Sequence, residues 1–406
     1  MFKFKFFVCL TLWALIITAC STPATTSTPP QPETSAVQPV ESTATQSAEV
    51  PTQIPDTSSQ AAIDAPLIEG PSLVELDMLN ETDGWAVTET QIVRTNDGGV
   101  TWYDVTPPGV EETGFAVGMF VVDNDHVWLQ KPDYNNFPNS GTMYRTTDGG
   151  MTWETSTTPF SEGDLYFLDA KDGWVLAGLG AGAGSNAVAV YQTTDGGSTW
   201  EQTYINDPNS ANANDSLPLG GLKSDIVPLD MQTAWVSGVT YTPGEVYLYR
   251  TDDAGHSWSQ VPIEIPAGTE DLELGINKDQ MEFVSREDGF FVLHIAGDSM
   301  QSAVYVTHDS GDTWTLTPTI IDGVGESRFL SAREMVMYNG EQFYITSDAA
   351  NTWSTVPPDV VFGESFANME FANVSTGWVI TVDSTTNHRS LYKTTDGGTT
   401  WFPVIP

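Results

Sequence analysis

One phrase of eight residues recurs seven times along the chain and limits its fold more than any other feature. It appears as Thr95 to Trp102 (TNDGGVTW), Thr146 to Trp153 (TTDGGMTW), Thr193 to Trp200 (TTDGGSTW) and Thr251 to Trp258 (TDDAGHSW). It returns as Thr307 to Trp314 (THDSGDTW), Thr346 to Trp353 (TSDAANTW) and Thr394 to Trp401 (TTDGGTTW). Its aspartates are Asp97, Asp148, Asp195, Asp253, Asp309, Asp348 and Asp396, and its closing tryptophans are Trp102, Trp153, Trp200, Trp258, Trp314, Trp353 and Trp401. A period of about fifty residues belongs to propeller blades rather than to helical solenoids. Asp-Gly-Gly supplies a carboxylate that accepts backbone N–H bonds and glycines that tolerate positive φ, so each phrase reads as a tight hairpin. The seven aspartates are therefore expected to shape backbone, and the tryptophans to bury large rings where a strand begins.

Upstream of most hairpins stands a second signature: Asp83-Gly84-Trp85, Asp172-Gly173-Trp174, Ala234-Trp235, Asp288-Gly289-Phe290 and Thr376-Gly377-Trp378, with His126-Val127-Trp128 a looser copy. Apolar alternations precede these, as in Leu73 to Leu79 and Met281 to Val284. Each unit thus supplies four short strands, and helical periodicity is absent. The expectation is an all-β, seven-bladed β-propeller with four antiparallel strands per blade and the hairpin between strands three and four. The sixth unit is the weak one, lacking the Gly-Trp step and carrying Ala350 where others have glycine.

The phrase resembles the Asp-box (BNR) repeat shared by sialidases, sortilin-type receptors and several glycosidases. Combined with D-G-W, it is similar to the photosystem II assembly/stability factor (Ycf48-like) family of exported propellers, some of them lipidated. That resemblance spans about residues 72 to 406 and implies a non-catalytic scaffold that holds a membrane-protein partner during assembly or repair. Residues 71–406 carry 12 bases and 48 acids, which separates this chain from photosynthetic members that dock through basic surface residues.

The first segment reads as an address. Lys3 and Lys5 precede an apolar run from Phe6 to Ala19, which is short for a membrane span and suited to a secretory signal. It ends in Ile17-Thr18-Ala19-Cys20, which looks like a bacterial lipobox; the resemblance implies lipidation of Cys20 and export to the extracytoplasmic side of a bacterial membrane. Residues 1–20 are thus expected to be a lipoprotein signal peptide, 21–65 a disordered tether and 66–406 the propeller. From Ser21 to Gln60, 23 of 40 residues are Ser, Thr or Pro, with no Gly, base or aromatic, so little is available to offset the entropy of ordering.

A net charge of −40 argues against a nucleic-acid partner, since phosphate contacts need lysine or arginine. The five histidines are scattered and no calcium loop of D-x-D-x-D-G type occurs, so no metal or cofactor is expected. A sialidase needs three convergent arginines. Arg94, Arg145 and Arg250 occupy one repeat position on different units, leaving Arg328 and Arg389 as the plausible inward pair. Xyloglucanase-type propellers use a cleft between two such domains, and seven hairpins account for one. No catalytic residue is expected on these grounds. The partner face is expected among the variable loops Gln130–Gly141, Gly178–Asn186, Tyr204–Ser224 and Ile263–Lys278, with Tyr134 and Phe137 presenting aromatics. The resulting expectation is a monomeric, lipid-anchored scaffold binding an envelope protein. A glycosidase-like or carbohydrate-binding propeller is the alternative.

Overall fold

The computed structural model describes residues 63–114 and 117–404. Cys20 and most of the expected tether lie outside the described residues. The described chain is built from strands, and consecutive strands of each repeat pair antiparallel. In the second repeat these are Gly118–Val121, Val127–Pro132, Gly141–Thr146 and Glu154–Thr158. Seven apolar clusters fill the gaps between consecutive repeats. One joins Trp85 to Val127, and another joins Trp378 and Ile380 of the last repeat to Leu73 and Leu76 of the first. Closure is completed by Trp378 Nε1, which donates to Gly98 O at 3.0 Å, and by Asn373 Nδ2, which donates to Glu81 Oε1 at 2.7 Å.

The expected count of seven blades is corrected. Five repeats (the first, second, third, sixth and seventh) stand as separate blades, whereas the fourth and fifth run together into one nine-stranded sheet. The cause is a short strand, Glu273–Gly275, inside the segment expected to be a variable loop. It pairs with His294–Ala296 of the fifth repeat and, through Gly275, with Val239 of the fourth. Leu274 and Ile276 are fully buried there, so apolar burial holds the segment against both repeats. The Gly178–Asn186 loop is likewise mostly strand: Gly173–Gly182 and Ser185–Thr193 form a long hairpin. Leu67–Ile68 adds a fifth strand to the outer edge of the first blade, beside Tyr103 and Trp102.

Every Asp-box forms the same local network. In the second, Thr146 Oγ1 donates to Asp148 Oδ1 at 2.9 Å and accepts from Gly150 N at 2.8 Å; Thr152 N and Oγ1 donate to the two carboxylate oxygens at 2.8 and 2.6 Å. The sixth box keeps this pattern around Asp348 although Ala349 and Ala350 must adopt φ of 56° and 60°. Elsewhere the glycine is also a matter of room. A Cβ on Gly311 (φ +73°) would lie 2.4 Å from the Trp235 ring of the preceding repeat. Before the sixth box that position is filled by the smaller Phe290, and Ala350 packs in its cluster. Each buried Trp removes about 150–250 Å² of surface from water, at about 25 cal/mol per Å².

Candidate functional site

The first strand of each repeat lies innermost, and the Gly-Trp strand fixes its register. The residues opposite the Trp position are Asp77, Phe120, Tyr166, Val227, Glu282, Arg328 and Glu370, one from each repeat. Two residues earlier stand Glu75, Gly118, Asp164, Asp225, Glu326 and Asn368. Gln280 takes the corresponding place in the fifth repeat, its carbonyl accepting from Val292 N at 2.9 Å. Between these positions sit buried apolar ones such as Leu76, Leu165 and Met369, so alternation aims one set at the gaps between sheets and leaves most of the other around the axis, Val227 being an exception that packs in a cluster between repeats.

Contacts across the axis bind these two tiers together. Arg328 Nε donates to Glu370 Oε2 at 2.9 Å and its guanidinium lies 3.9 Å from Glu326 Oε2. Lys278 reaches from the fifth repeat to Asp164 of the third, 3.2 Å away. Asp279, held at φ +59°, donates its N–H to Asp225 Oδ2 at 2.7 Å. Asp225 Oδ1, Gln280 Oε1 and Asn368 Oδ1 are buried and accept no hydrogen bond from the protein. Among the described residues no trio of His, Cys, Asp and Glu is arranged to hold a metal ion.

Crowding acids around a narrow axis changes their protonation. Burial, then the Glu370 and Glu75 charges, pushes the Asp77 carboxyl up to about 8. Burial and Glu370 push Glu282 up to about 7. Its side chain is exposed to solvent while closely surrounded by protein. Burial also raises Glu75, Asp164, Asp225, Glu326 and Glu370. Tyr166 is pushed up to about 12 by burial and by Glu282.

The Asp-box acids behave oppositely. Hydrogen bonds from the residue four positions on hold Asp309, Asp348 and Asp396 below the usual range. Burial is the largest single influence on Asp97, Asp148, Asp195 and Asp253 and acts upward, yet their summed hydrogen bonds prevail and the net shift is down. The seven boxes thus hold ionised carboxylates in local turns, apart from the axial tiers.

Of the two arginines expected to point inward, Arg328 is in the axial tier, whereas Arg389 begins a third strand, opposite Val382. Arg94, Arg145 and Arg250 lie over Trp85, Trp128 and Trp235 of their own repeats at 5.1–5.9 Å. Tyr134 and Phe137 are exposed in their loop. Sequence reasoning missed Asp77, Glu282 and Glu370. Their signal was the polar–apolar alternation ahead of the Gly84-Trp85, Gly289-Phe290 and Gly377-Trp378 steps.

Comparison with known proteins gives a direction for this site. A xyloglucanase of a Paenibacillus species is 25% identical over 329 residues, which is 74% of this chain and 27% of that protein. A xyloglucanase of Hypocrea jecorina is 24% identical over 355 residues, 80% of this chain and 35% of that one. The chain spans about a quarter to a third of the length of these curated relatives. The Sortilin-Vps10 family (sortilin, neurotensin receptor 3) matches residues 302–405. Among solved structures, the GH74 xyloglucanase of Xanthomonas campestris superposes with a TM-score of 0.55 at 13% identity, covering 84% of this chain and 55% of that one. Ycf48 bound to a D1 peptide superposes at 0.49 and 14% identity, covering 81% and 94%.

These relatives overturn the expectation of a scaffold without chemistry. The curated proteins similar to this chain along most of its length are named xyloglucanases. The expectation erred because it weighed arginines and box aspartates and left the inner-strand acids uncounted.

Proposed function

We propose that the protein is a glycoside hydrolase acting on a neutral polysaccharide, with its chemistry at the axial tiers. The observation that carries this reading is the set of carboxyls converging on the axis with pKa values pushed to different heights, two of them near neutrality. Glycoside hydrolysis needs one protonated carboxyl and one ionised carboxylate flanking the scissile bond. Asp77, protonated at neutral pH, gives its proton to the leaving glycosidic oxygen as the bond to the anomeric carbon breaks. Glu282, open to solvent and partly ionised, takes a proton from the water that forms the new bond to that carbon. The proton from Asp77 stays on the released hydroxyl; Glu282 then loses the proton it took from water to solvent and Asp77 regains one from it, which restores both groups. Arg328 fixes Glu370 beside them.

The substrate class follows from charge. A chain of net charge −40 with acids lining its axis repels uronic-acid and sulfated polymers. The xyloglucanase relatives favour a β-glucan backbone. Export on a lipid tether at Cys20, inferred from residues 1–60, would place such an enzyme outside the cell. Incubation with xyloglucan and with polygalacturonate, followed by a reducing-end assay, tests the reading. Release from the neutral polymer alone is expected; release from neither polymer would reject it.

A further inference from the structure

A cavity of about 440 Å³ lies where the hairpins of the third and fourth repeats meet, on the face from which the strand two–three hairpins emerge. Its walls include Gly184, Gly221, Tyr241, Glu245, Tyr247 and Gln260. Tyr241 is 56% exposed at the tip of its hairpin and leans against the tip of the neighbouring one, where a Cβ on Gly184 would lie 2.8 Å from its ring. The rings of Tyr247 and Tyr249 lie 4.7 Å apart, tilted by 48°, in its wall. The floor is tied down from below: Lys223 Nζ donates to the carbonyls of Leu219, Asn186 and Gly221 at 2.8, 3.0 and 3.2 Å and sits 5.3 Å from the Tyr247 ring. That ammonium is turned into a carbonyl cage, so Glu245 is the charged group of the wall.

We infer that this cavity is a second sugar-binding subsite, apart from the axis, taking one or two pyranose residues of a neutral polysaccharide. The volume suits a ligand of that size. Tyrosine rings present apolar faces to sugar C–H groups and hydroxyls to their O–H groups, and Glu245 and Gln260 accept further hydroxyl bonds. The glycines let backbone approach the ligand closely. Gly221 of the wall immediately precedes the inner strand Leu222–Pro228, which carries Asp225. The ligand class rests on the polysaccharide reading above, whereas the binding itself does not require turnover.

The experiment is calorimetric titration of the full chain with a xyloglucan-derived oligosaccharide, using Asp77→Asn as the background so that the probe persists. Asp77→Asn should bind it, and Asp77→Asn/Tyr241→Ala should bind about tenfold more weakly. Gln260→Ala, at an exposed position, is a second variant expected to weaken binding several-fold should the Tyr241 variant fail to fold. Equal affinity of the folded variants and the background, or no binding by the background, would overturn the subsite. Absence of turnover in the wild type with weakened binding in Tyr241→Ala would instead reject the axial chemistry and leave the subsite standing.

Discussion

Arg328 Nε donates to Glu370 Oε2 at 2.9 Å, tying the inner strand of the sixth repeat to that of the seventh. The same guanidinium lies 3.9 Å from Glu326. One cation therefore answers two partly buried carboxylates, while burial keeps Asp77 protonated at neutral pH. Replacing Arg328 with Met strands those charges. It should cost about 2–4 kcal/mol in urea denaturation at pH 7, less than a fully buried pair because both acids keep some solvent contact. The loss should shrink below pH 4, where the acids are neutral.

Activity should follow a narrow bell in pH. Glu282 must be ionised and Asp77 protonated, and their pKa values lie at about 7 and about 8. Initial rates against pH should peak between these values and fall on both sides, the two limbs reporting the acid cluster as a unit. A plateau extending from pH 4 to 6 would assign the chemistry to other groups.

Stability should run the other way from that of most acidic domains on the alkaline side. Asp77 and Glu282 hold protons in the fold that the unfolded chain releases near pH 4. Their contribution is complete below that pH and is lost as pH rises through 7 and 8. The box aspartates have lowered pKa values, so their contribution is present above pH 4 and lost as pH falls through their folded values. The melting temperature should be highest between about pH 4 and 6. It should decline towards pH 9, and Asp77→Asn should flatten that decline.

Phe290 and Ala350 should behave as a coupled pair. A larger ring at 290 meets a methyl group that other boxes replace with hydrogen. Phe290→Trp should therefore destabilise by about 1–3 kcal/mol. Ala350→Gly should recover part of that in the double variant, because it also relieves a positive φ. A double-mutant cycle by urea denaturation measures the coupling; strict additivity would refute the pairing.

The boxes were legible because everything they need lies within eight residues: Asp148 receives its hydrogen bonds from Thr146 and Thr152. The fused sheet was not, since Leu272-x-Leu274-x-Ile276 is a strand pattern short enough to pass for a loop until Val239 is beside it. The axial acids were half legible. Aligning the repeats on Trp85, Trp174 and Trp378 places Asp77, Tyr166 and Glu370 at one level, but their convergence depends on ring closure by residues some three hundred positions apart. Their raised pKa values depend on burial by other repeats, which no local window contains.

The most direct test compares initial rates of reducing-end release from xyloglucan by the wild type, Asp77→Asn, Glu282→Gln and the box variant Asp148→Ala. Loss of about 100-fold or more in both axial variants, with the box variant active and merely less stable by about 1–2 kcal/mol, is the predicted result. Axial variants as active as the wild type, or a wild type that releases no reducing ends, would contradict it.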